Sequence, residues 1–320
     1  MRGWIRYAVE EFRLVRSLSD LEKVTRKLVH LRSRLPLYRG SRSSVPLCLQ
    51  IEPTNHCNVN CICCSRERME RERGFMDPGL FRKIIDEGAA VGIRRVHLYL
   101  HGEPLLNPHI VDMISHIKSR GLAFTLATNG MLLDREKAEG ILSAGVDNGD
   151  HFMVSILGHS KAVHEGIMRG VDHERVRRNL LAFLELRRSA GLNGPVIETV
   201  FYQMPENEKE SKEFYRFWSG TVDHVRMRDR ISEQFARFKS DDGFIRPRAV
   251  TCRNLWERMT VFWNGDVTLC TADLDGTTVF GSLGSQPIRE VWNSDALLSI
   301  KGLHREKKFH SISLCSNCDQ

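Results

Sequence analysis

Residues 52–67, "EPTNHCNVNCICCSRE", hold four of the chain's nine cysteines within positions 57–64. Cys57, Cys61 and Cys64 follow a C-x3-C-x2-C spacing, and Cys63 is an additional thiol between them. Thiolate sulfur is the preferred ligand of zinc, copper(I) and iron–sulfur clusters, so we interpret the segment as a metal site. A structural zinc needs four ligands, and Cys63 or His56 could be the fourth, whereas a cluster held by three cysteines leaves one iron open. The spacing alone leaves both interpretations standing.

The cysteine segment directly follows the first of six short apolar segments that alternate with amphipathic ones. The predicted strands are "LCLQIEP" (47–53), "VHLYLHGEP" (96–104), "AFTLATNG" (123–130), "HFMVSI" (151–156), "VIETVFYQ" (196–203) and "HVRMR" (224–228). Runs with helical periodicity, such as "DPGLFRKIIDEGAAVG" (77–92), separate them. This alternation predicts an α/β fold in which residues 46–230 form a partial (β/α)6 barrel of parallel strands. The carboxyl ends of such strands carry the chemistry, and the cysteine segment lies at that end.

The pattern changes after residue 230. "MTVFWNGDVTLC" (259–270) predicts a β-hairpin with Asn264 and Gly265 at its turn, and "PIREVWNSDALLSIKGLH" (287–304) predicts a helix. Four further cysteines lie in this region: Cys252, Cys270, Cys315 and Cys318. Taken alone, this set is compatible with a zinc ribbon. We predict that residues 231–320 form a small hairpin and helix domain with a second metal site.

The first 45 residues carry the whole net charge of +7, because they contain eleven Lys or Arg and four Asp or Glu. Their apolar spacing predicts two helices, which either pack on the body or contact a partner or a membrane surface. The rest of the chain is neutral, so nucleic acid is not an expected partner. We find no secretory signal and no apolar run of about 20 residues, and we expect a cytoplasmic protein with reduced cysteines.

Three segments together resemble the radical S-adenosylmethionine enzymes: "CNVNCICC" after the first strand, "LHGEP" after the second and "ATNG" after the third. The resemblance implies that Cys57, Cys61 and Cys64 hold a [4Fe–4S] cluster whose open iron binds S-adenosylmethionine. Two positions depart from the family pattern. Cys63 replaces the usual aromatic residue before the last cysteine, and His101 replaces the first glycine of the family's Gly-Gly-Glu stretch.

The same resemblance implies which residues contact S-adenosylmethionine. Gly102 and Glu103 would meet its ammonium group, and Thr128 and Asn129 would line the ribose side. Ser155 matches a position that contacts the methionine carboxylate or the ribose, and Arg169 matches a downstream arginine that faces the carboxylate.

The second cysteine set resembles the SPASM/twitch extension of radical S-adenosylmethionine enzymes, in its shorter form with one auxiliary [4Fe–4S] cluster. Ligation of that cluster by Cys252, Cys270, Cys315 and Cys318 would leave no iron open to a substrate. Such a cluster is suited to electron transfer. The resemblance therefore implies two [4Fe–4S] clusters, one of which binds S-adenosylmethionine.

The resemblance also implies the reaction class. An external one-electron reductant, such as flavodoxin or ferredoxin, drives cleavage of S-adenosylmethionine to a 5′-deoxyadenosyl radical, which abstracts hydrogen from a substrate C–H bond. The single auxiliary cluster resembles that of an amino-cyclitol dehydrogenase. We therefore predict the two-electron oxidation of a secondary alcohol on a sugar- or cyclitol-type small molecule, with the auxiliary cluster as electron acceptor.

Several alternatives remain open at this point. A thiol that returned a hydrogen atom would make the enzyme an epimerase, and Cys48 and Cys63 are the cysteines without a cluster role. Arg228, near Arg226 and Arg230 at the end of the last strand, could orient or deprotonate a hydroxylated substrate. Many SPASM proteins modify ribosomal peptides, but residues 1–45 are too short for the usual peptide-binding module. A non-enzymatic electron carrier is a further alternative.

Overall fold

The computed structural model describes residues 44–228, 251–316 and 318, all within one compact unit, Ser43–Gln320. The predicted helix pair before Pro36, and Arg230, lie outside the described residues.

The strands are short, as the sequence predicted. In chain order they are β1 (Cys48–Ile51), β2 (Asn60–Cys61), β3 (Arg95–Leu98), β4 (Ala123–Thr128), β5 (His151–Ser155), β6 (Met168–Arg169), β7 (Val196–Tyr202), β8 (His224–Arg228), β9 (Arg258–Val261), β10 (Asp266–Thr268) and β11 (Val279–Ser282). The helices are α1 (Pro78–Ala90), α2 (Ile110–Ser119), α3 (Arg135–Ser143), α4 (Lys161–Ile167), α5 (His173–Ser189), α6 (Ser211–Ser219), α7 (Asn254–Glu257), α8 (Ile288–Trp292), α9 (Asp295–Arg305) and α10 (Ser313–Ser316).

One sheet contains the strands β1, β3, β4, β5, β7 and β8 as parallel neighbours in that order. Helices connect these strands, as right-handed β/α crossovers require. Within the described ranges, β8 pairs only with β7, so the barrel is open on that side. The prediction of an α/β fold with a partial six-stranded barrel is therefore confirmed.

The C-terminal hairpin extends this sheet on its other side. β9 runs parallel to β1, and β10 and β11 follow as antiparallel neighbours, which gives a nine-stranded sheet. Gly265 lies at the hairpin turn with a φ of 91°, a conformation that glycine adopts without strain.

Alternate residues of each barrel strand pack against the helices. Leu49 and Ile51 of β1 are fully buried on that side. Phe152 of β5 packs on Phe183 of α5 with ring centroids 4.9 Å apart, and Phe201 of β7 contacts a ring of α6. Burial of apolar surface, at about 25 cal/mol per Å², is the main force holding the two layers together.

The other residues of the strands face the inside of the barrel, and many of them are polar. We call this space the lumen and define it by Cys48, Gln50, Arg95, His97, Tyr99, His151, Met153, Ser155, Glu198, Tyr202, Arg226 and Arg258, the last from β9. Most are partly accessible. A lumen of this composition is suited to a polar ligand more than to a packed apolar core.

Several helices begin at side chains that cap them. Asp77 accepts a hydrogen bond from the backbone N–H of Leu80, and Asp134 and Asp172 cap α3 and α5 in the same way. In the part of the chain that is described, no helix has the length and apolar character needed to cross a bilayer.

Candidate active site

The loop after β1 brings four thiols together. The backbone N–H of Cys64 donates to the carbonyl oxygen of Cys61 at 3.0 Å, which closes a tight turn around Cys63. A hydrogen bond with the Cys63 thiol, burial and the neighbouring thiols of Cys57 and Cys64 raise the pKa of Cys61. Burial also raises the pKa of Cys57. The loop thus places three motif cysteines and Cys63 in one small region.

A two-stranded ribbon fixes this loop from outside. β2 pairs antiparallel with β6, with Cys61 opposite Met168 and Asn60 opposite Arg169. The N–H of Ile62 donates to the carbonyl oxygen of Ile167 at 2.9 Å, next to the ribbon. Arg169, whose side chain is exposed, is therefore positioned beside the cysteine loop; its contact with S-adenosylmethionine stays a prediction.

Glu103 is hydrogen-bonded to two other predicted cofactor-binding residues, Thr128 and Asn129. Its carboxylate accepts hydrogen bonds from Thr128 Oγ1 at 2.6 Å, from the N–H of Asn129 at 2.7 Å and from the N–H of Leu105 at 3.0 Å. The residue is 2% exposed, and burial raises the pKa of Glu103 to about 7. A carboxylate has about four acceptor positions, so these three donors leave room for one more, such as an ammonium group.

Gly102 lies directly against the cysteine loop. A Cβ atom at this position would stand 2.1 Å from the carbonyl oxygen of Thr54 and 2.7 Å from that of His56. The next N–H, that of Glu103, donates to the His56 oxygen at 2.8 Å. The glycine therefore allows the loops after β1 and β3 to meet backbone to backbone.

The remaining predicted residues are distributed along the lumen. Ser155 ends β5, on the same face as Met153, and is half-buried. Cys48 begins β1, at the opposite end from the cysteine loop, with its thiol 3.6 Å from the carbonyl oxygen of Glu257. Arg228 is exposed at the end of β8. Of the two cysteines without a predicted cluster role, Cys63 lies at the first site and Cys48 does not; their catalytic roles stay predictions.

The second cysteine set also converges. Burial raises the pKa of Cys270 to about 12, and the thiols of Cys252, Cys315 and Cys318 contribute because they lie nearby. Cys318 donates its N–H to the carbonyl oxygen of Cys315 at 3.1 Å. Nε2 of the buried His304 lies 3.4 Å from the sulfur of Cys315. Cysteines from three separate parts of the sequence, 252, 270 and 315–318, are thus brought near one another.

The donor sets fit iron–sulfur clusters. Among the described residues, no three His, Cys, Asp or Glu side chains converge on a single metal-ion position. The first loop contains three motif thiols near the buried carboxylate of Glu103, which has one hydrogen-bond acceptor position unused by the three donors described above. This donor set suits a cluster with one iron open to an amino acid group. The second offers four thiols and suits a fully ligated cluster. These ligand assignments stay predictions.

A buried ion pair between the two sites was missed in the sequence analysis. Arg71 donates both terminal nitrogens to the carboxylate of Glu52, which is 0% exposed, and its Nε donates to the carbonyl oxygen of Leu274 at 2.8 Å. His101 contacts Arg71 through Nδ1 at 3.2 Å, and its Nε2 lies 3.0 Å from the carbonyl oxygen of Thr271. The residue that replaces the family's glycine therefore connects the first site to the loop of Cys270.

Burial opposes ionisation of Glu52, but the hydrogen bonds from His101 and Arg71 prevail and lower the pKa of Glu52. A polar residue at the end of an apolar strand, in "LCLQIEP", was the available signal for this pair. The alternating polar residues of "CLQ" and "RVHLY" were a similar signal for the polar lumen.

Comparisons with known proteins extend these observations. Residues 51–217 match the family model of the radical SAM superfamily, and residues 252–319 match that of SPASM, an iron–sulfur cluster-binding domain. The tungsten-containing aldehyde ferredoxin oxidoreductase cofactor-modifying protein of Pyrococcus furiosus is 30% identical over 172 residues, 53% of this chain and 47% of that protein. The chain thus spans about half the length of this relative.

Other similarities cover more of the chain. The S-adenosyl-L-methionine-dependent 2-deoxy-scyllo-inosamine dehydrogenase of Niallia circulans is 22% identical over 276 residues, 85% of this chain and 92% of that protein. Structures of Streptococcus suis SuiB bound to S-adenosylmethionine or to precursor peptide SuiA have TM-scores of 0.65 and 0.61 at 17% and 16% identity. They cover 99% and 96% of this chain and 82% and 77% of SuiB. At this identity the likeness shows the fold.

Proposed function

The chain belongs to the radical SAM superfamily, and from this we propose that it oxidises a secondary alcohol of a sugar- or cyclitol-type small molecule by two electrons. It is an enzyme of the radical SAM type, and its cofactors are S-adenosylmethionine and [4Fe–4S] clusters. We assign the S-adenosylmethionine-binding cluster to the barrel, residues 46–230, and one auxiliary cluster to residues 231–320.

The observation that carries the proposal is the position of the second cysteine set. The thiols of Cys252, Cys315 and Cys318 lie near that of Cys270, and a cluster held by all four would have no open iron and would be suited to accept an electron. The loop of Cys270 touches the loop after β3, because His101 Nε2 lies 3.0 Å from the oxygen of Thr271. An electron acceptor beside the first site is what a two-electron oxidation needs.

The bound cofactors would supply a 5′-deoxyadenosyl radical at the first site and an electron acceptor at the second. The protein's own residues bind and orient. Glu103 offers its remaining acceptor position to the ammonium of S-adenosylmethionine, and Arg169 lies beside the cysteine loop. Arg228 at the end of β8 would orient the substrate hydroxyl by donating a hydrogen bond to its oxygen. Loss of the carbinol hydrogen atom to the radical, of one electron to the auxiliary cluster and of the hydroxyl proton to solvent would leave the alcohol carbon as a ketone.

The alignment with the Niallia circulans dehydrogenase, over 92% of that protein, supports this reaction class. Binding of a precursor peptide by SuiB supports peptide modification as the second candidate. Cysteines used as cluster ligands suit a reducing compartment, so we propose a cytoplasmic enzyme that receives electrons from a flavodoxin or ferredoxin.

The test uses anaerobically reconstituted protein with S-adenosylmethionine, dithionite and a panel of polyols deuterated at their carbinol carbons. We expect 5′-deoxyadenosine that carries deuterium, together with a ketone product. An epimerised alcohol with hydrogen from solvent would contradict oxidation. Deuterium transfer from deuterated peptides alone would favour the second candidate.

Two variants make the test specific. Replacing Cys57, Cys61 and Cys64 together by Ala should abolish 5′-deoxyadenosine formation and leave about four iron atoms per chain bound by the second set. Cys270→Ala should still form 5′-deoxyadenosine but lose the ketone. Loss of all iron in the triple variant would contradict two separate sites.

A further inference from the structure

Arg258 occupies an unusual position in the lumen. It is the first residue of β9, paired with Cys48 of β1, and its Nη1 donates to Oε1 of Gln50 at 2.9 Å. Gln50, fully buried, is held in turn because its Nε2 donates to the carbonyl oxygen of Tyr99 at 3.0 Å. The hydrogen bond to Gln50 and the pairing of β9 with β1 together fix the orientation of the Arg258 guanidinium inside the barrel.

This guanidinium lacks a carboxylate within ion-pair distance among the described residues. In the same ranges, its buried Nε has no hydrogen-bond partner by distance and angle. The neighbouring thiol of Cys48 faces the guanidinium; burial raises the pKa of Cys48, and Arg258 opposes this. The other lumen arginines differ: Arg226 pairs with Glu198, and Arg95 donates to backbone oxygens and to Thr125. Buried polar groups in native proteins are nearly always satisfied, so an unpaired atom on the partly accessible inner face of the barrel points to a ligand-binding position.

His97 adds a second such atom. It pairs with Gln50 in the register of β1 and β3, and its buried Nδ1 has no hydrogen-bond partner in the described part of the chain. Burial, followed by the charges of Arg258 and Arg95, lowers the pKa of His97 to about 3. A neutral imidazole can donate from Nδ1 or accept there, depending on its tautomer.

The lumen is therefore positively charged. The described residues that define the lumen include three arginines, Arg95, Arg226 and Arg258. They include one carboxylate, that of Glu198, which forms an ion pair with Arg226. Burial, and then the charges of Arg95 and Arg226 against the opposing charge of Glu198, lower the pKa of His151. A cavity of one sign attracts ligands of the other.

We propose that Arg258 and His97, with Arg258 held by Gln50, form a subsite for an anionic group, a carboxylate or a phosphate, on the substrate. Arg is the side chain best suited to either group, because its planar N–H donors match two oxygens at once. The inference rests on the proposed function only in treating the lumen ligand as the substrate. It narrows the substrate class from neutral polyols to acidic or phosphorylated ones.

The subsite is continuous with the first site. Tyr99, whose carbonyl oxygen holds Gln50, directly follows β3, and Tyr202 ends β7, so both lie at the carboxyl ends of the strands, where the cysteine loop follows β1. Burial raises the pKa of both phenols; the charges of Arg258 and Arg226 oppose this at Tyr99, and the thiol of Cys63 adds to it at Tyr202. A ligand anchored at Arg258 would extend along these two tyrosines toward the cysteine loop. The anchor and the reacting carbon would then be at opposite ends of one molecule.

Titration calorimetry on the anaerobically reconstituted, S-adenosylmethionine-bound protein tests the subsite. The probes are D-glucose, D-gluconate and D-glucose 6-phosphate, which share a polyol and differ in the anionic group. We expect at least one acidic probe to bind about thirtyfold or more tightly than D-glucose, and the preferred probe distinguishes a carboxylate from a phosphate site. Equal binding, or none, by all three probes overturns the proposal.

Three variants locate the effect. Arg258→Gln should remove the preference for the acidic probe, whereas Arg258→Lys should keep part of it. Arg135→Gln removes the same charge from α3, where the side chain is 80% exposed, and should keep the full preference. A preference that survives in Arg258→Gln overturns the assignment. Unchanged S-adenosylmethionine binding in each variant shows that it has folded.

Formation of 5′-deoxyadenosine in the same preparations separates the two proposals. Protein that forms 5′-deoxyadenosine without preferring an acidic probe overturns the subsite alone. Protein that prefers an acidic probe in an Arg258-dependent manner but forms no 5′-deoxyadenosine supports the subsite and contradicts the proposed function.

Discussion

The backbone of the cysteine loop surrounds Gly102 on the side where any other residue would carry its Cβ. Thr54 and His56 approach with carbonyl oxygens and Asn55 with its Cα, and none of these backbone atoms can rotate away as a side chain could. The same contact holds Glu103, whose N–H bonds to His56. One small residue therefore sets the distance between the cysteines and the carboxylate.

Gly102→Ala should lower the free energy of unfolding by about 2–4 kcal/mol, because the added methyl must push two loops apart. Urea unfolding of the anaerobically purified protein measures it. Gly166→Ala in α4 is the matched control. A Cβ there meets no atom within 4 Å, and alanine in a helix is favoured over glycine by about 0.5–1 kcal/mol. Equal urea midpoints for the two variants would contradict the packing argument.

The barrel strands and helices could be predicted from the sequence because the apolar residues of each one recur with the spacing of its secondary structure. Leu49 and Ile51 alternate with polar residues in β1, and Asp77 is an N-cap residue that predicts the start of α1. β2 and β6 could not be predicted, because each is only two residues long, too short to show an alternation of apolar and polar residues. The pairing of β1 with β9 could not be predicted either, since it joins segments about 200 residues apart.

The cysteine sets and Glu103 were predictable from motif spacing, but their surroundings were not. The polar Glu52 at the end of an apolar strand signals that it needs a buried partner, but the sequence does not indicate that Arg71 and His101 will be the residues that converge on it. The role of Arg258 depends on β9 joining the sheet beside β1, which is a long-range event. Local sequence patterns therefore predicted the candidate ligands, whereas the long-range pairing of strands determines which charged side chains, such as Arg258, are available to a ligand.

The ribbon of β2 and β6 depends on a buried histidine pair. Nδ1 of His164 lies 3.0 Å from Nδ1 of His173, and its Nε2 lies 3.3 Å from the sulfur of Met168 in β6. Burial, and then the nearby His173, lower the pKa of His164 to about 3. At most one of the two facing nitrogens can carry the proton between them, so acid should weaken the support of the cysteine loop.

His164→Gln should reduce the acid sensitivity of stability. The folded protein keeps His164 neutral while the unfolded chain takes up a proton near pH 6.5, so its contribution is complete above pH 6.5 and falls as pH drops toward 3. Between those values the loss for one group reaches about 1.4 kcal/mol per pH unit. Urea unfolding at pH 7, 6 and 5 should show a shallower decline for His164→Gln than for wild type. Gly166→Ala, in the same helix, should keep the wild-type slope; a wild-type slope in both would contradict the assignment.

Across the whole unit, the two cysteine sets belong to one packed structure. The nine-stranded sheet continues from the barrel into the hairpin, and the N–H of Glu52 donates to the carbonyl oxygen of Val261 at 2.9 Å. Arg71 stacks on the ring of Phe262 at 4.0 Å while it bonds Glu52 and Leu274. The loops of the two sites thus share a buried ion pair, so a substitution that removes this pair should destabilise both loops.

Arg71→Ala should cost about 3–5 kcal/mol of unfolding free energy, because it leaves the fully buried carboxylate of Glu52 without its main partner. It also frees the Leu274 oxygen, four residues after Cys270, so iron of the second set should pass to a chelator faster than in wild type. Urea unfolding and the rate of iron release measure the two effects. Arg135→Ala, which breaks an exposed pair with Glu139, should change stability by no more than about 0.5 kcal/mol and leave iron release unchanged. If Arg71→Ala behaved like Arg135→Ala, the ion pair would not couple the two sites.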